Sequence, residues 1–490
     1  MDDLPDGVLV DILCRLPSYR YVYKYKSVCR RWNNLMSEPY FIGRFLLRLQ
    51  NKHKQALSNP PLTLINLVGE TFPIALNPSS PKFLARLFQR LMSSISPDRE
   101  PLVLGASHDL VLCCTIKCYH FDYFICNPYT TQWVALPPPH RHQTLGQVPI
   151  GFICEPFYNY YKKDSDQRGQ TSKCGSSTST IIDDGHGQLI NINIKYRYRV
   201  VRIHPTVPFD VTFHDYIDPS SKVKVEIFSS ETGEWRESII SFPREFCFNE
   251  VQSNIYFAHH GMLYWSSSWT MAEHFLIGLD PFIISHTNNN NMISNSGCRF
   301  IKLIVKDPTY KPKNYGDRQI KCLGVPGGGG GCLQLCLLEK LDNSLTVWEL
   351  KEEEDLIVAP DGAEVWCSKE KRLVLNNMEE RVDLMDFDPQ EEGFLYLLLD
   401  GTRFVKINVR TRSLTQEIID VAGNIRSGCF FPLRVDPRWP TPLPRLPHQR
   451  TTEGHPVSKT GPGNLERDME RRFSYALGRE DIENAVRGGP

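Results

Sequence analysis

Neither sign of charge is in excess in this 490-residue chain: Lys plus Arg and Asp plus Glu each total 56. No global field therefore draws it to nucleic acid or to an anionic membrane. No run of about 18 apolar residues occurs, and no charged-then-apolar secretory segment precedes Leu4, so neither membrane spanning nor export is expected. Asn-x-Ser/Thr acceptor sites are missing, and the 15 cysteines form an odd, scattered set from Cys14 to Cys429. Both suit a reducing compartment, which makes cytoplasm or nucleus the expected location.

The short motifs of common chemistry are also missing. There is no Gly-x-Ser-x-Gly elbow, no phosphate loop ending in Gly-Lys-Ser/Thr and no His-Glu-x-x-His. The run "GVPGGGGGC" around Gly327 to Gly331 lacks the lysine and the helix signal that a phosphate loop needs, and reads as a loop. Cys113, Cys114, Cys118 and His120 lie close together but without paired Cys-x-x-Cys spacing. The surrounding "VLCCTIKCYHFDYFIC" is rich in β-branched and aromatic residues, so these are read as strand cysteines. No catalytic, cofactor-binding or metal-binding residue is expected, and no cofactor.

What the chain does have is 41% hydrophobic residues and length for two or three domains. It opens with "DLPDGVLVDILCRLP". Pro5 suits a first helical turn, Val8, Ile12, Leu13 and Leu16 recur on a helical face, and Pro17 ends the segment. A helix this short is marginal alone in water, so its apolar face must pack on the chain itself or on a partner. In the following "SYRYVYKYKSVCRRWNNLMSEPYFIGRFL", Val22, Val28, Cys29 and Trp32 continue the apolar set across two more short helices. Arg15, Arg20, Lys24, Lys26, Arg30 and Arg31 crowd the polar sides.

Leu-Pro, a helix, Leu-Pro again and then Val-Cys-x-x-Trp resembles the F-box, with the match running from Leu4 to about Phe45. The resemblance implies three helices that dock on the Skp-family adaptor of an SCF-type cullin ubiquitin ligase. By position, the adaptor-facing residues are Leu4, Pro5, Val8, Ile12, Leu13, Leu16, Pro17, Val22, Val28, Cys29 and Trp32. Large aliphatics and a tryptophan suit such a surface, since burial contributes about 25 cal/mol per Å² and aromatic anchors dominate many interfaces. Two departures from the F-box pattern stand out. Gly7 replaces a helix former, and the tyrosine-rich stretch after Pro17 is one residue longer than usual.

Residues 46–100 read as a helical connector leading into a β region over 101–435. "QLININIKYRYRVV" alternates: Ile190, Ile192, Ile194, Tyr196, Tyr198 and Val200 share one face, while Asn191, Asn193, Lys195, Arg197 and Arg199 share the other. It is expected to be one strand with one wet face. Apolar strands precede polar turns near 130, 231, 280, 353 and 411, the second being Glu231 to Gly233. With a polar insert at 162–188, the spacing fits four-stranded units of a β-propeller of about five to seven blades. The blocks "ICNPYTTQWVALPPP", "GMLYWSSS", "VWELKEEED" and "FPLRVDPRWPTPLP" resemble the kelch-like F-box-associated domain of plant F-box proteins. Closure would require "GCFFPLRV" to complete a unit begun by "PLTLINL" or "EPLVLGA".

The expected fold is thus α+β multidomain, a three-helix F-box at 1–45 followed by an all-β propeller. Residues 436–490 read as a proline-rich, extended tail, with a charged helix possible in "LERDMERRFSYALGREDIENAV". The stretches "KKDSDQRGQTSKCGSSTST" and "TNNNNMISNSG" have loop composition. Together the two domains resemble a substrate receptor without catalytic chemistry of its own. Its expected partners are a Skp-family adaptor, a cullin-based ligase core and a target protein, with no nucleic acid and no membrane. A ligase-independent F-box interaction or decoy protein is the alternative. A propeller enzyme is a more distant one, because fold alone does not settle function.

Overall fold

The computed structural model describes residues 4–53, the strands Leu62–Asn66 and Thr71–Ile74, most of 102–304, the strands between 318 and 434, and residues 439–443. The "KFLARLFQRLMSSI" segment, the Gly327 to Gly331 run, the Asn-rich loop, most of the 162–188 insert and the chain after 443 lie outside the described residues.

Four helices, not the expected three, open the chain: α1 (Asp6–Leu13), α2 (Tyr19–Lys26), α3 (Arg30–Leu35) and α4 (Pro39–His53), the last running past position 45. Pro5 precedes α1 with φ −56°, and Pro39 begins α4 where its missing N–H costs nothing. The Cys29 thiol caps α3 by accepting from the Trp32 amide at 3.4 Å. Leu9 and Leu13 of α1, Val22 of α2 and Phe41, Phe45 and Leu46 of α4 are buried. They share one apolar core with residues of the β region, among them Ile125, Phe152, Tyr198 and Trp439. The helices are therefore not an independent body beyond a connector, because their inner face is completed by strands.

Among the described residues seven sheets follow. The first joins Leu62–Asn66 to Thr71–Ile74 on one side and to the C-terminal strand Phe430–Arg434 on the other. The second runs Leu102–Ser107, Leu110–Lys117, His120–Asn127, Gln132–Ala135, and the third Ile150–Cys154, Tyr198–Pro205, Ser220–Ser229, Glu234–Phe246, each antiparallel. The fourth begins with Val251–His259, Met262–Ser267, His274–Leu279 and Cys298–Ile304. The fifth comprises Arg318–Gly324, Leu333–Glu339, Ser344–Leu350 and Lys371–Val374, and the sixth Val382–Phe387, Phe394–Leu399, Arg403–Asn408 and Ser413–Asp420. A small seventh sheet, Tyr158–Lys162, Gln188–Asn193 and Ser179–Asp183, carries some of the polar insert. The strands Leu102–Ser107, Ile150–Cys154, Val251–His259, Arg318–Gly324, Val382–Phe387 and Phe430–Arg434 neighbour one another in that order, and the last also neighbours the first.

The turn at Glu231 to Gly233 forms as expected: the Gly233 amide donates to the Ser229 carbonyl at 2.8 Å, with Gly233 at φ 73°, which favours glycine. Three expectations are corrected, and one stretch that the sequence left unassigned takes its form. "QLININIKYRYRVV" is two strands, because the ribbon it shares with 150–162 bends from the third sheet into the seventh, and alternation does not register a bend. Its polar face is not wet at Arg199, which is fully buried and bonded to Glu231 Oε2 at 2.6 Å, with its guanidinium 4.9 Å from the Phe282 ring centre. After the strand ending at Leu279, the apolar "PFII" is a short helix, α5 (Pro281–Ile284), since the Asp280 carboxylate accepts from the Phe282 and Ile283 amides at 2.8 and 3.1 Å. Near 353 there is no simple hairpin. Leu356–Val358 pairs with Glu364–Cys367, which extends the fourth sheet beside Cys298–Ile304, and Ser344–Leu350 pairs instead with Lys371–Val374. A polar run marks a turn but not the edge to which the chain returns.

Candidate functional site

Helix α1 is apolar on two sides. Leu9, Val10 and Leu13 turn inward and are at most 5% exposed, while Val8 and Ile12, one turn apart, are 46% and 40% exposed. Neighbouring large apolar side chains left at a surface mark a place for a second surface to cover. Val28, between α2 and α3, is 59% exposed. Leu4, Leu16 and Trp32 are partly covered, and Pro5, Pro17 and Cys29 are open to solvent. Nine of the eleven sequence-derived residues thus have exposed or half-buried side chains. Leu13 and Val22 are the corrections: both lie in the chain's own core, because the inner stripe of α1 and the inner side of α2 meet there. Leu9 and Val10 belong to the same inner stripe, legible in the Leu9 to Leu13 spacing once two apolar faces are allowed on one helix.

Arg31 fixes this surface. Its guanidinium bonds the Asp6 carboxylate through Nε at 2.9 Å and Nη2 at 2.6 Å, and also donates to the Leu4 carbonyl, so α3 is tied to the start of α1. Arg44 reaches Asp11 at 3.1 Å, but both side chains are about half exposed, so the pair adds little stability. Trp32 packs edge-on to Tyr25 with centroids 6.3 Å apart. Beneath, Cys14 is buried, and burial pushes its thiol up to about 12, which leaves it a neutral packing group.

The cysteines at 113 and 114 are fully buried on opposite faces of Leu110–Lys117. Cys113 lies beside Cys126, which together with burial raises its thiol well above the usual range. Cys118 lies outside the described residues. Among the described residues no cluster of His, Cys, Asp and Glu could hold a metal ion, and no helix is long and apolar enough to cross a membrane.

Residues 1–48 match the F-box-like family. The chain is 28% identical over 149 residues to an F-box protein of Arabidopsis thaliana, covering 30% of this chain and 36% of that one. It is 24% identical over 249 residues to a putative F-box/kelch-repeat protein of the same plant, covering 49% and 47%. The chain thus spans half or less of the length of these relatives. Among solved structures, apo AztD from Citrobacter koseri aligns over 75% of this chain and 84% of its own at 8% identity, with a TM-score of 0.32. The N-terminal helices are an F-box-like domain, followed by a region that is mostly β-sheet.

Proposed function

We propose that the chain is the substrate-recognition subunit of an SCF-type ubiquitin ligase. The F-box-like helices dock on a Skp-family adaptor through Leu4, Pro5, Val8, Ile12, Leu16, Pro17, Val28, Cys29 and Trp32, and the β region holds the target protein. The observation that carries this reading is the exposed Val8, Ile12 and Val28 on a module whose inner face is already filled. The β region acts as a six-bladed propeller. Support comes from six successive sheets whose neighbouring strands follow one another cyclically, closed by Leu62–Asn66 pairing with Phe430–Arg434. Such a receptor, working in cytoplasm or nucleus, makes and breaks no bonds. It raises the local concentration of target lysines near the loaded conjugating enzyme.

The test is calorimetric titration of the full chain with a purified Skp-family adaptor, compared with the chain carrying Ile12→Asp and Val28→Asp. Binding by the first and loss of it in the second is the expected pair of results. A wild-type chain that ignores the adaptor would sink the proposal. Adaptor binding without recruitment of the cullin core would favour the ligase-independent reading.

A further inference from the structure

Composition assigns the chain after 435 to an extended tail, yet its first described residues are deeply packed. Trp439 is 2% exposed. Its indole meets the Phe45 and Phe41 rings of α4 edge-on, with centroids 5.7 and 6.3 Å away, and the Tyr23 ring of α2 at 6.1 Å. The Lys26 ammonium stands 5.6 Å from the indole centre. Two residues later the chain is tied to the second sheet. The Thr441 amide donates to Asp109 Oδ2 at 2.7 Å, its hydroxyl donates to Asp109 Oδ1, and its carbonyl accepts from Asn127 Nδ2 at 2.7 Å. Asp109 sits in the turn after Leu102–Ser107, beside His108 at φ 56°, and Asn127 ends the strand His120–Asn127. One short segment thus grips the helices with an aromatic anchor and a sheet end with a satisfied buried carboxylate. Each is costly to leave half-made.

The tether upstream is equally short. Only positions 435–438 separate Trp439 from Phe430–Arg434, the strand that pairs with Leu62–Asn66. The five Cα steps from Arg434 to Trp439 reach at most about 18 Å, so the indole settles between α2 and α4 only with that strand close by. We infer that Trp439 to Leu443 is a strap that seats the F-box-like helices on the β region, and that it engages only after Phe430–Arg434 has paired with Leu62–Asn66. The core of the N-terminal helices is completed by the last strand pairing of the chain. The adaptor-facing surface is then presented in one fixed orientation, and only by a chain whose β region is closed.

Hydrogen exchange on the full-length chain tests this whether or not an adaptor binds. Three variants are compared with wild type: Trp439→Ala, Thr441→Val, which keeps the apolar anchor, and Ile65→Pro, which removes from the central strand of the first sheet a ladder donor facing Phe430–Arg434, outside α2 and α4. All three should speed exchange of the α2 and α4 amides by at least about tenfold relative to Tyr198–Pro205 in the same molecule. Should Trp439→Ala unfold the chain throughout, the milder Thr441→Val supplies the same comparison. The inference is overturned if α2 and α4 keep wild-type exchange when the strap is altered, or if Ile65→Pro loosens the first sheet and leaves α2 and α4 untouched.

Discussion

Arg202 Nη1 and Glu226 Oε2 stand 2.5 Å apart on directly paired positions of neighbouring strands, with the Arg202 side chain 4% and the Glu226 side chain 0% exposed. The same carboxylate oxygen lies 3.0 Å from His204 Nε2, and the Arg202 guanidinium lies 5.8 Å from the centre of the Tyr123 ring on the second sheet. Breaking one member of such a pair strands a charge away from water. Glu226→Ala should therefore cost about 3–5 kcal/mol, whereas replacing Arg202 and Glu226 together by Leu should recover much of that loss. Urea denaturation of the three chains reads both effects. A Glu226→Ala midpoint equal to wild type would show that the pair is not structural.

Gly43 is the point where α4 meets the seventh sheet. A Cβ built there would stand 2.1 Å from Ile182 Cδ1 and 3.1 Å from Ile182 Cγ1. In an open helix Gly→Ala stabilises by about 1 kcal/mol. Here overpacking against a buried Ile182 should outweigh that gain and destabilise by about 1–2 kcal/mol. Ile182→Ala added to Gly43→Ala should relieve some of the cost, because it empties the contested volume. A stabilised Gly43→Ala chain in thermal melts would contradict the close fit.

The two faces of the helical module should separate under mutation. Ile12→Asp is expected to leave thermal stability within about 0.5 kcal/mol, since it lies on the surface. On the proposed function it abolishes adaptor binding. Val22→Ala, in the core, should destabilise by about 1–3 kcal/mol, while the folded fraction keeps its adaptor affinity. Paired melting and binding measurements distinguish the two, and an Ile12→Asp chain as destabilised as Val22→Ala would place Ile12 in the core.

Asp109 supplies a pH dependence of unusual sign. Burial holds its carboxyl above the ordinary value, against the opposing hydrogen bonds from Thr441 and Asn127. The folded state thus binds the proton more tightly than the unfolded chain. The contribution of Asp109 to stability is greatest below its unfolded pKa and declines as pH rises towards the folded value. Asp109→Asn keeps an acceptor for Thr441 and should flatten that segment of the profile. Denaturation midpoints from pH 4 to pH 8 in both chains measure the difference, and parallel profiles would mean that this carboxyl carries no such linkage.

The sequence by itself determined what local order can encode. Proline and leucine spacing marked the N-terminal helices, the turn at Glu231 to Gly233 followed from its polar residues between apolar strands, and "PLTLINL" stood out as one of two candidate partners for "GCFFPLRV". The tertiary structure decided what depends on residues far apart in the chain. Periodicity could say that α1 is apolar but not that Leu13 would face inward and Ile12 outward, because that choice is made by Phe41, Phe45 and the strands beneath them. Alternation placed Arg199 on a wet face, whereas Glu231, brought in by the turn after the next strand, and the Phe282 ring receive that arginine in the interior. Proline-rich composition suggested that Trp439 begins a free tail. Its burial comes from α2 and α4, which lie hundreds of residues earlier in the chain and meet it only in the folded structure.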